Sequence, residues 1–93
     1  MKIYQSRSFE RKIKKFHKNE KASLDEEIKK IIYDPSIGVE EKGDLKGIFV
    51  HKIKIKNLLY LLSYQLINDG IELITIGSHE NYYRSLKSYL KDR

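Results

Sequence analysis

Lys52-Ile53-Lys54-Ile55-Lys56, running on through Asn57 into Leu58-Leu59-Tyr60-Leu61-Leu62, is the stretch from which the fold is read. Charged and branched apolar residues alternate there with the period of a strand, so Lys52, Lys54 and Lys56 line one side while Ile53 and Ile55 enter a core. Three ammonium groups along one strand suit a polyanion. The same alternation also describes the solvated face of a half-exposed sheet, and spacing does not choose between the two.

Outward from this stretch the pattern stays β. Residues 48–56, 57–67 and 71–76 form three runs rich in branched and aromatic residues, with Asn68-Asp69-Gly70 as a turn between the second and third, which predicts an antiparallel meander. Along the middle run Leu58, Tyr60, Leu62, Tyr64 and Leu66 share one face, and Leu59, Leu61, Ser63 and Gln65 the other. A strand apolar on much of both sides belongs at the centre of a sheet.

Upstream, Met1-Lys2-Ile3-Tyr4 is short and β-prone. Phe9, Ile13 and Phe16 recur at helical spacing and predict a helix over 8–19 whose outer face carries Arg11, Lys12, Lys14, Lys15 and Lys18. Ser23-Leu24-Asp25-Glu26 reads as a capping box, so a second helix is expected from about Leu24, with Leu24, Ile28, Ile31 and Ile32 as its stripe and Asp34-Pro35 as its stop. Residues 36–47 read as a loop. After Gly77, Ser78 is placed to cap a final helix with Tyr82, Leu86, Tyr89 and Leu90 on one face. The expected order is β-α-α-β-β-β-α, an α+β fold in which a helical hairpin packs on a small antiparallel sheet, followed by a short C-terminal helix.

The chain of 93 residues is expected to form a single domain over 1–93, and its 40% hydrophobic and 34% charged content is that of a soluble globular protein. Its longest apolar run is too short to cross a bilayer, its first residues lack the apolar segment of a secretion signal, and it has no cysteine. A cytoplasmic location and no membrane partner are therefore expected. Nineteen Lys and Arg against thirteen Asp and Glu give a net charge of +6, which favours nucleic acid, ribosome or an acidic protein as partner.

Among the three histidines, His79 stands where the last strand gives way to the last helix, a rigid yet reachable position. His17 is expected at the surface and His51 part-buried on its strand. With Tyr83 and Arg84 close by, a ring nitrogen, a phenol and a guanidinium are expected to be able to converge on one phosphate, the set needed for cleavage by a neighbouring 2′-hydroxyl: base, acid and charge stabilisation. Tyr82, starting the apolar stripe, belongs to the core. No phosphate-binding glycine pattern, zinc-protease motif or acidic cluster spaced to hold magnesium is present, Asp25, Glu26 and Glu27 reading as helix-start charges, so no cofactor is expected and a metal-independent mechanism follows by elimination.

Three sequence features carry a family resemblance: Leu45-Lys46-Gly47 before the basic strand, Lys52-Ile53-Lys54 followed by Leu61-Leu62-Ser63-Tyr64-Gln65, and Gly77-Ser78-His79 near the end. With the order of elements, they make the chain resemble the RelE/ParE superfamily of toxins from bacterial type II toxin–antitoxin modules over essentially its whole length. For RelE-like members the resemblance implies a ribosome-dependent endoribonuclease that cuts messenger RNA in the decoding site without metal. Lys52 and Lys54 match its two strand lysines, His79 matches the Gly-Thr/Ser-His motif of the YafQ-like branch, and Tyr83 corresponds to the aromatic residue that follows. Leu61 departs from the pattern, standing where RelE has a phosphate-stabilising arginine.

The resulting expectations name Lys52, Lys54, His79 and Tyr83 as catalytic. Lys52 or Lys54 would act as base and His79 or Tyr83 as acid. Lys46, Lys56 and Arg84 would bind the nucleic acid, Lys46 and Arg84 stabilising the phosphorane. The implied partners are a cognate acidic antitoxin, messenger RNA and the ribosome. ParE-like members instead poison DNA gyrase without enzymatic chemistry, which is the alternative; a basic binding module without activity is a third reading.

Overall fold

The apolar run 58–67 occupies the middle of the sheet, as its two-sided hydrophobicity requires. The computed structural model describes residues 2–79 and 82–91, the side chains at 85 and 87–89 excepted. In chain order the elements are β1 (Lys2–Gln5), α1 (Arg7–Ile13), α2 (Lys18–Tyr33), β2 (Val39–Glu40), β3 (Ile48–Ile55), β4 (Leu58–Ile67), β5 (Gly70–Ser78) and α3 (Tyr82–Lys91). The sheet runs β1-β5-β4-β3-β2, with the expected antiparallel meander of β3, β4 and β5 at its centre.

Between β3 and β4 the chain reverses in two residues, Lys56 (φ 50°) and Asn57 (φ 67°), both in the left-handed region. That conformation marks the hairpin turn whose twist matches the flanking strands. Lys-Asn lacks the glycine that normally announces such a turn, so alternation alone extends the strand through Lys56. In the structure Lys56 belongs to the hairpin tip, and only Lys52 and Lys54 remain on the strand face.

The sheet is wider than expected, and mixed. The stretch read as a loop contains β2, whose Val39 and Glu40 pair antiparallel with Val50 and Phe49. The Tyr64 hydroxyl fixes the approach to it, donating to the Pro35 carbonyl (2.6 Å) and accepting from the Gly38 N–H (3.0 Å). On the other edge β1 lies parallel to β5, Lys2 opposite Gly70 and Gln5 opposite Leu73. A Cβ on Gly70 would sit 1.8 Å from the Lys2 carbonyl oxygen, so this parallel edge exists because residue 70 has no side chain.

The helical hairpin is present with different boundaries. Ser6 caps α1 by accepting from the Phe9 N–H (3.1 Å), and α1 stops at Ile13. The chain restarts at His17, whose N–H is taken by the Glu20 carboxylate at 2.7 Å, so α2 begins six residues before Leu24. The predicted capping box is overridden: Ser23 lies inside α2 and its hydroxyl donates to the Asn19 carbonyl (3.3 Å). Breaking the chain before Phe16 lets that ring turn onto Tyr60, centroids 5.3 Å apart at 68°. A continuous helix over 8–19 would not allow the corner. At its far end α2 stops where the Asp34 carboxylate accepts from the N–H and hydroxyl of Ser36, bonds that hold its carboxyl below the ordinary value.

Both sheet faces are covered. Phe9, Leu24 and Ile31 of the hairpin pack on Ile53, Leu62, Tyr64, Ile71, Leu73 and Ile76. Tyr82 and Leu86 of α3 pack on Ile48, Val50, Leu61 and Ile74 of the opposite face. Ser78, expected to cap the last helix, is instead the last residue of β5. Of the predicted stripe, Leu90 is 37% exposed rather than packed, and the Tyr89 side chain lies outside the described residues.

In β5 strict alternation fails: Ile71, Leu73 and Ile76 share one core while Ile74 belongs to the other. The cause is a bulge opposite Ser63 and Tyr64, which pair with Thr75 and Leu73 and leave Ile74 as the extra residue.

One polar contact ties α2 to the sheet. The His51 ring Nε2 lies 2.9 Å from Oε1 of Glu27, and Lys30 donates to Oε2 of the same carboxylate at 2.8 Å. Burial alone would raise the Glu27 carboxyl, but the bonds from Lys30 and His51 outweigh it and hold the group below 4.5. A carboxyl lowered by folding contributes stability that is present above its unfolded value and lost as pH falls through the folded one. Glu27→Gln is therefore expected to cost up to about 1 kcal/mol at neutral pH. That difference should vanish at pH values below the folded carboxyl's titration, as read by urea unfolding of both proteins across the acid range. Gly70→Ala is expected to cost roughly 2–3 kcal/mol through the clash with Lys2, with hydrogen-exchange protection lost first along the β1–β5 ladder.

Candidate functional site

The meander register assembles a basic surface at one end of the sheet. Lys52 stands opposite Leu61, and Leu61 opposite Gly77; one row further on, Lys54 stands opposite Leu59. The His79 N–H donates to the Leu59 carbonyl at 3.1 Å, which carries this row across to the end of β5. Adjacent strands lie about 4.8 Å apart, so the backbones of Lys54 and His79 are separated by about 10 Å, a gap long side chains span. Lys52, Lys54 and His79 are all exposed. They share the face that carries α3, because Lys52 is paired with Leu61 of the α3 core.

The bulge decides the histidine's place. Were β5 to continue from Leu73 without the extra residue, Ser78 would pair with Leu59, and His79 would fall in the Leu58 row on the opposite side. With Ile74 inserted, His79 joins the lysine rows.

The remaining predicted residues divide. Tyr83 and Arg84 are exposed on the first turn of α3, four and five residues beyond His79, within about 18 Å of chain. The Tyr83 ring packs edge-to-face on Tyr82, centroids 4.9 Å apart at 72°. Lys46 lies elsewhere. It follows a 3-10 turn over Gly43–Leu45 and precedes β3, whose residues 48 to 54 extend over about 20 Å. The structure does not bring Lys46 beside Lys54 and His79, and Lys56 flanks them from the hairpin tip. His17 is exposed, as expected, and His51 is part-buried against Glu27.

Between the lysines and β5 the surface is apolar. Leu61 is 7% exposed and packs with Tyr82 and Leu86 under α3, so the centre of the face serves as a seat for the helix. Tyr82 is fully buried, and among the described residues its hydroxyl is a buried side-chain polar atom without a hydrogen bond. Burial pushes that phenol up to about 12, against a smaller opposing pull from Ser63. It stays protonated at any physiological pH, and of the adjacent phenols of Tyr82 and Tyr83 the latter is the one exposed to solvent. Among the described residues no group of three His, Asp or Glu side chains is arranged to hold a metal ion, and no helix is long and apolar enough to cross a membrane.

With this geometry in view, likeness to solved structures and to a family of sequences bears on identity. Among curated proteins, no sequence matches the chain. Among solved structures, a free-state double arginine-to-alanine mutant of the E. coli toxin RelE superposes with a TM-score of 0.65 at 19% identity, over 92% of this chain and 94% of that one. The isolated E. coli RelE toxin gives 0.62 at 19% identity, over 92% and 95%. The intact E. coli RelBE toxin–antitoxin complex gives 0.63 at 18% identity, over 81% and 92%. At such identities the likeness establishes the fold, which is that of RelE. Residues 3–87 match the sequence model of the ParE-like toxins of type II bacterial toxin–antitoxin systems, and the chain belongs to that family.

Proposed function

We propose that this toxin is an endoribonuclease that cuts messenger RNA on the ribosome and so stops translation. The observation that carries the reading is the convergence of Lys52, Lys54 and His79 on one exposed end of the sheet, in adjacent register rows. In the proposed reaction the lysine acting as base enters as the neutral amine. Lys52 or Lys54 takes the proton of a ribose 2′-hydroxyl; the oxygen forms a bond to the adjacent phosphorus and the bond to the 5′-oxygen breaks. His79 or Tyr83 delivers a proton to that leaving oxygen, giving a 2′,3′-cyclic phosphate and a 5′-hydroxyl end. Arg84 on α3 is the guanidinium that meets the charge of the phosphorane. Lys56 and Lys46, displaced toward the two ends of β3, are assigned to phosphates flanking the reacting one.

An acidic antitoxin is the proposed partner. The support is the net charge of +6 and the likeness to the toxin–antitoxin complex of E. coli. An antitoxin segment that folds on binding would cover the lysine rows or displace α3.

A second reading has one observation in its favour. Leu61, in the middle of the site, is buried and apolar where the resemblance calls for an arginine, so the face lacks a central cation. A ParE-like inhibitor of DNA gyrase would not need one. Gyrase supercoiling assays separate the readings, since trapped linear DNA supports the second and unperturbed supercoiling removes it.

On the leading reading, Lys52→Ala, Lys54→Ala and His79→Ala are each expected to slow cleavage of ribosome-bound messenger by about 10²–10⁴-fold. Exposed as they are, they should change stability by less than about 0.5 kcal/mol. Mapping RNA ends after adding purified toxin to translating ribosomes reads the effect. Intact messenger with the wild-type toxin, or undiminished cutting by the Lys52→Ala protein, would overturn the assignment.

A further inference from the structure

On the opposite side of the β5 end from the lysine rows, the corner between α1 and α2 encloses a cleft of about 390 Å³. Lys12, Lys15, Phe16 and His17 form its helical wall, and Tyr60 and Ser78, paired across β4 and β5, form its sheet wall. The cleft exists because β1 pairs with β5 only as far as Leu73, after which the chain turns through Ser6 into α1. Beyond that point the margin of β5 faces the helical corner rather than another strand.

Its chemistry is uneven in a telling way. Residues 7–21 carry Arg7, Arg11, Lys12, Lys14, Lys15, Lys18 and Lys21 against Glu10 and Glu20, five of the six surplus positive charges of the chain. Glu20, which also lines the cleft, is turned to the His17 N–H as a helix cap. At the base the half-buried rings of Phe16 and Tyr60 pack edge-to-face. Ammonium groups around an aromatic floor are the composition of a single-strand nucleic-acid groove, where phosphates meet lysines and bases meet ring faces. The rim is shared with the candidate site: Ser78 lines the cleft, while its neighbours Gly77 and His79 continue the Lys52 and Lys54 rows.

We infer that this cleft is a second RNA subsite, in which Lys12 and Lys15 hold the phosphates, and the Phe16–Tyr60 pair a base, of the same single strand that crosses Lys52 and Lys54. The inference rests on the ribonuclease reading and extends it. RNA passes over the end of β5 with the reacting phosphate on one side and a flanking segment clamped on the other. Lys14 and Lys18, exposed on the same helical corner, do not line the cleft and take no part.

The test uses a fluorescent single strand of about twelve nucleotides, 2′-O-methylated to block cleavage, with affinity measured against salt concentration. Each phosphate contact contributes about 0.7 to the slope of log affinity against log salt. The Lys12→Ala/Lys15→Ala protein is expected to bind with a slope shallower by about 1.4, and Lys52→Ala/Lys54→Ala to show a similar, additive loss. Lys14→Ala/Lys18→Ala should bind like wild type. If Lys12→Ala/Lys15→Ala binds like wild type while Lys52→Ala/Lys54→Ala weakens, the cleft is not an RNA subsite and the ribonuclease reading stands. An equal loss in the Lys14→Ala/Lys18→Ala protein reduces the cleft to diffuse attraction and overturns the inference. So does a Lys12→Ala/Lys15→Ala protein that loses affinity for an acidic antitoxin peptide but not for RNA. A wild-type protein that binds no free single strand overturns the inference, while the ribonuclease reading is decided by cleavage on translating ribosomes.

Discussion

A single inserted residue in β5 holds the arrangement together. Ile74 is the extra residue of a bulge opposite Ser63 and Tyr64, and it resets the parity of everything after it. Before the bulge, Ile71 and Leu73 face the helical hairpin; after it Ile76 does so as well, while Ile74 itself turns to α3. One strand thereby serves two cores and still delivers His79 to the lysine face. Buried hydroxyls accompany the irregularity: Ser8 and Thr75 share a hydrogen bond of 2.8 Å, and Ser63 donates to the Thr75 carbonyl at 3.3 Å. The Ser6 hydroxyl is bonded to the Ile74 carbonyl. Carbonyls of Ile74 and Thr75, where the bulge disrupts the ladder, thus take hydrogen bonds from buried or part-buried hydroxyls.

The lysine face is divided between cover and exposure. Its inner half is a seat for α3, built from Ile48, Val50, Leu61 and Ile74, and its outer half is left to Lys52 and Lys54. Leu61 sits at the border and makes the choice visible: a leucine there joins the seat, and the cations retreat to the ends of the row. Among the described residues of α3, Tyr82 and Leu86 are the side chains buried in this seat, and Tyr83 and Arg84 stay exposed beside the residues proposed for chemistry.

Much of this was legible in the residues. The two-sided hydrophobicity of 58–67 marked the central strand, the alternation at 48–56 marked its neighbour, and helical spacing marked the helices, so the order of elements was read from the residues, and Lys52, Lys54 and His79 were singled out as candidates upon it. What stayed hidden has physical reasons. The hairpin at Lys56-Asn57 uses left-handed backbone without glycine, so nothing in the letters announced it. The capping box at Ser23–Glu26 is locally correct and was outcompeted by a cap at His17, because packing Phe16 on Tyr60 outweighs the preference of four residues. Pairing at long range, as of β1 with β5 or β2 with β3, leaves no periodic trace in segments of four and two residues. The bulge left none either, since Ile71, Leu73, Ile74 and Ile76 supply apolar side chains of both parities.

The parallel contact between β1 and β5 joins residues 68 positions apart, such as Lys2 and Gly70. A chain emerging from a ribosome offers β1, the helical hairpin, β3 and β4 first, and none of these completes either core, since both draw on β5. Until β5 has cleared the exit tunnel there is no place for β1, no seat for α3 and no row for His79. Vectorial synthesis thus makes β5 the step on which the finished surface waits: the segments made before it emerge with neither core closed, and its arrival closes both.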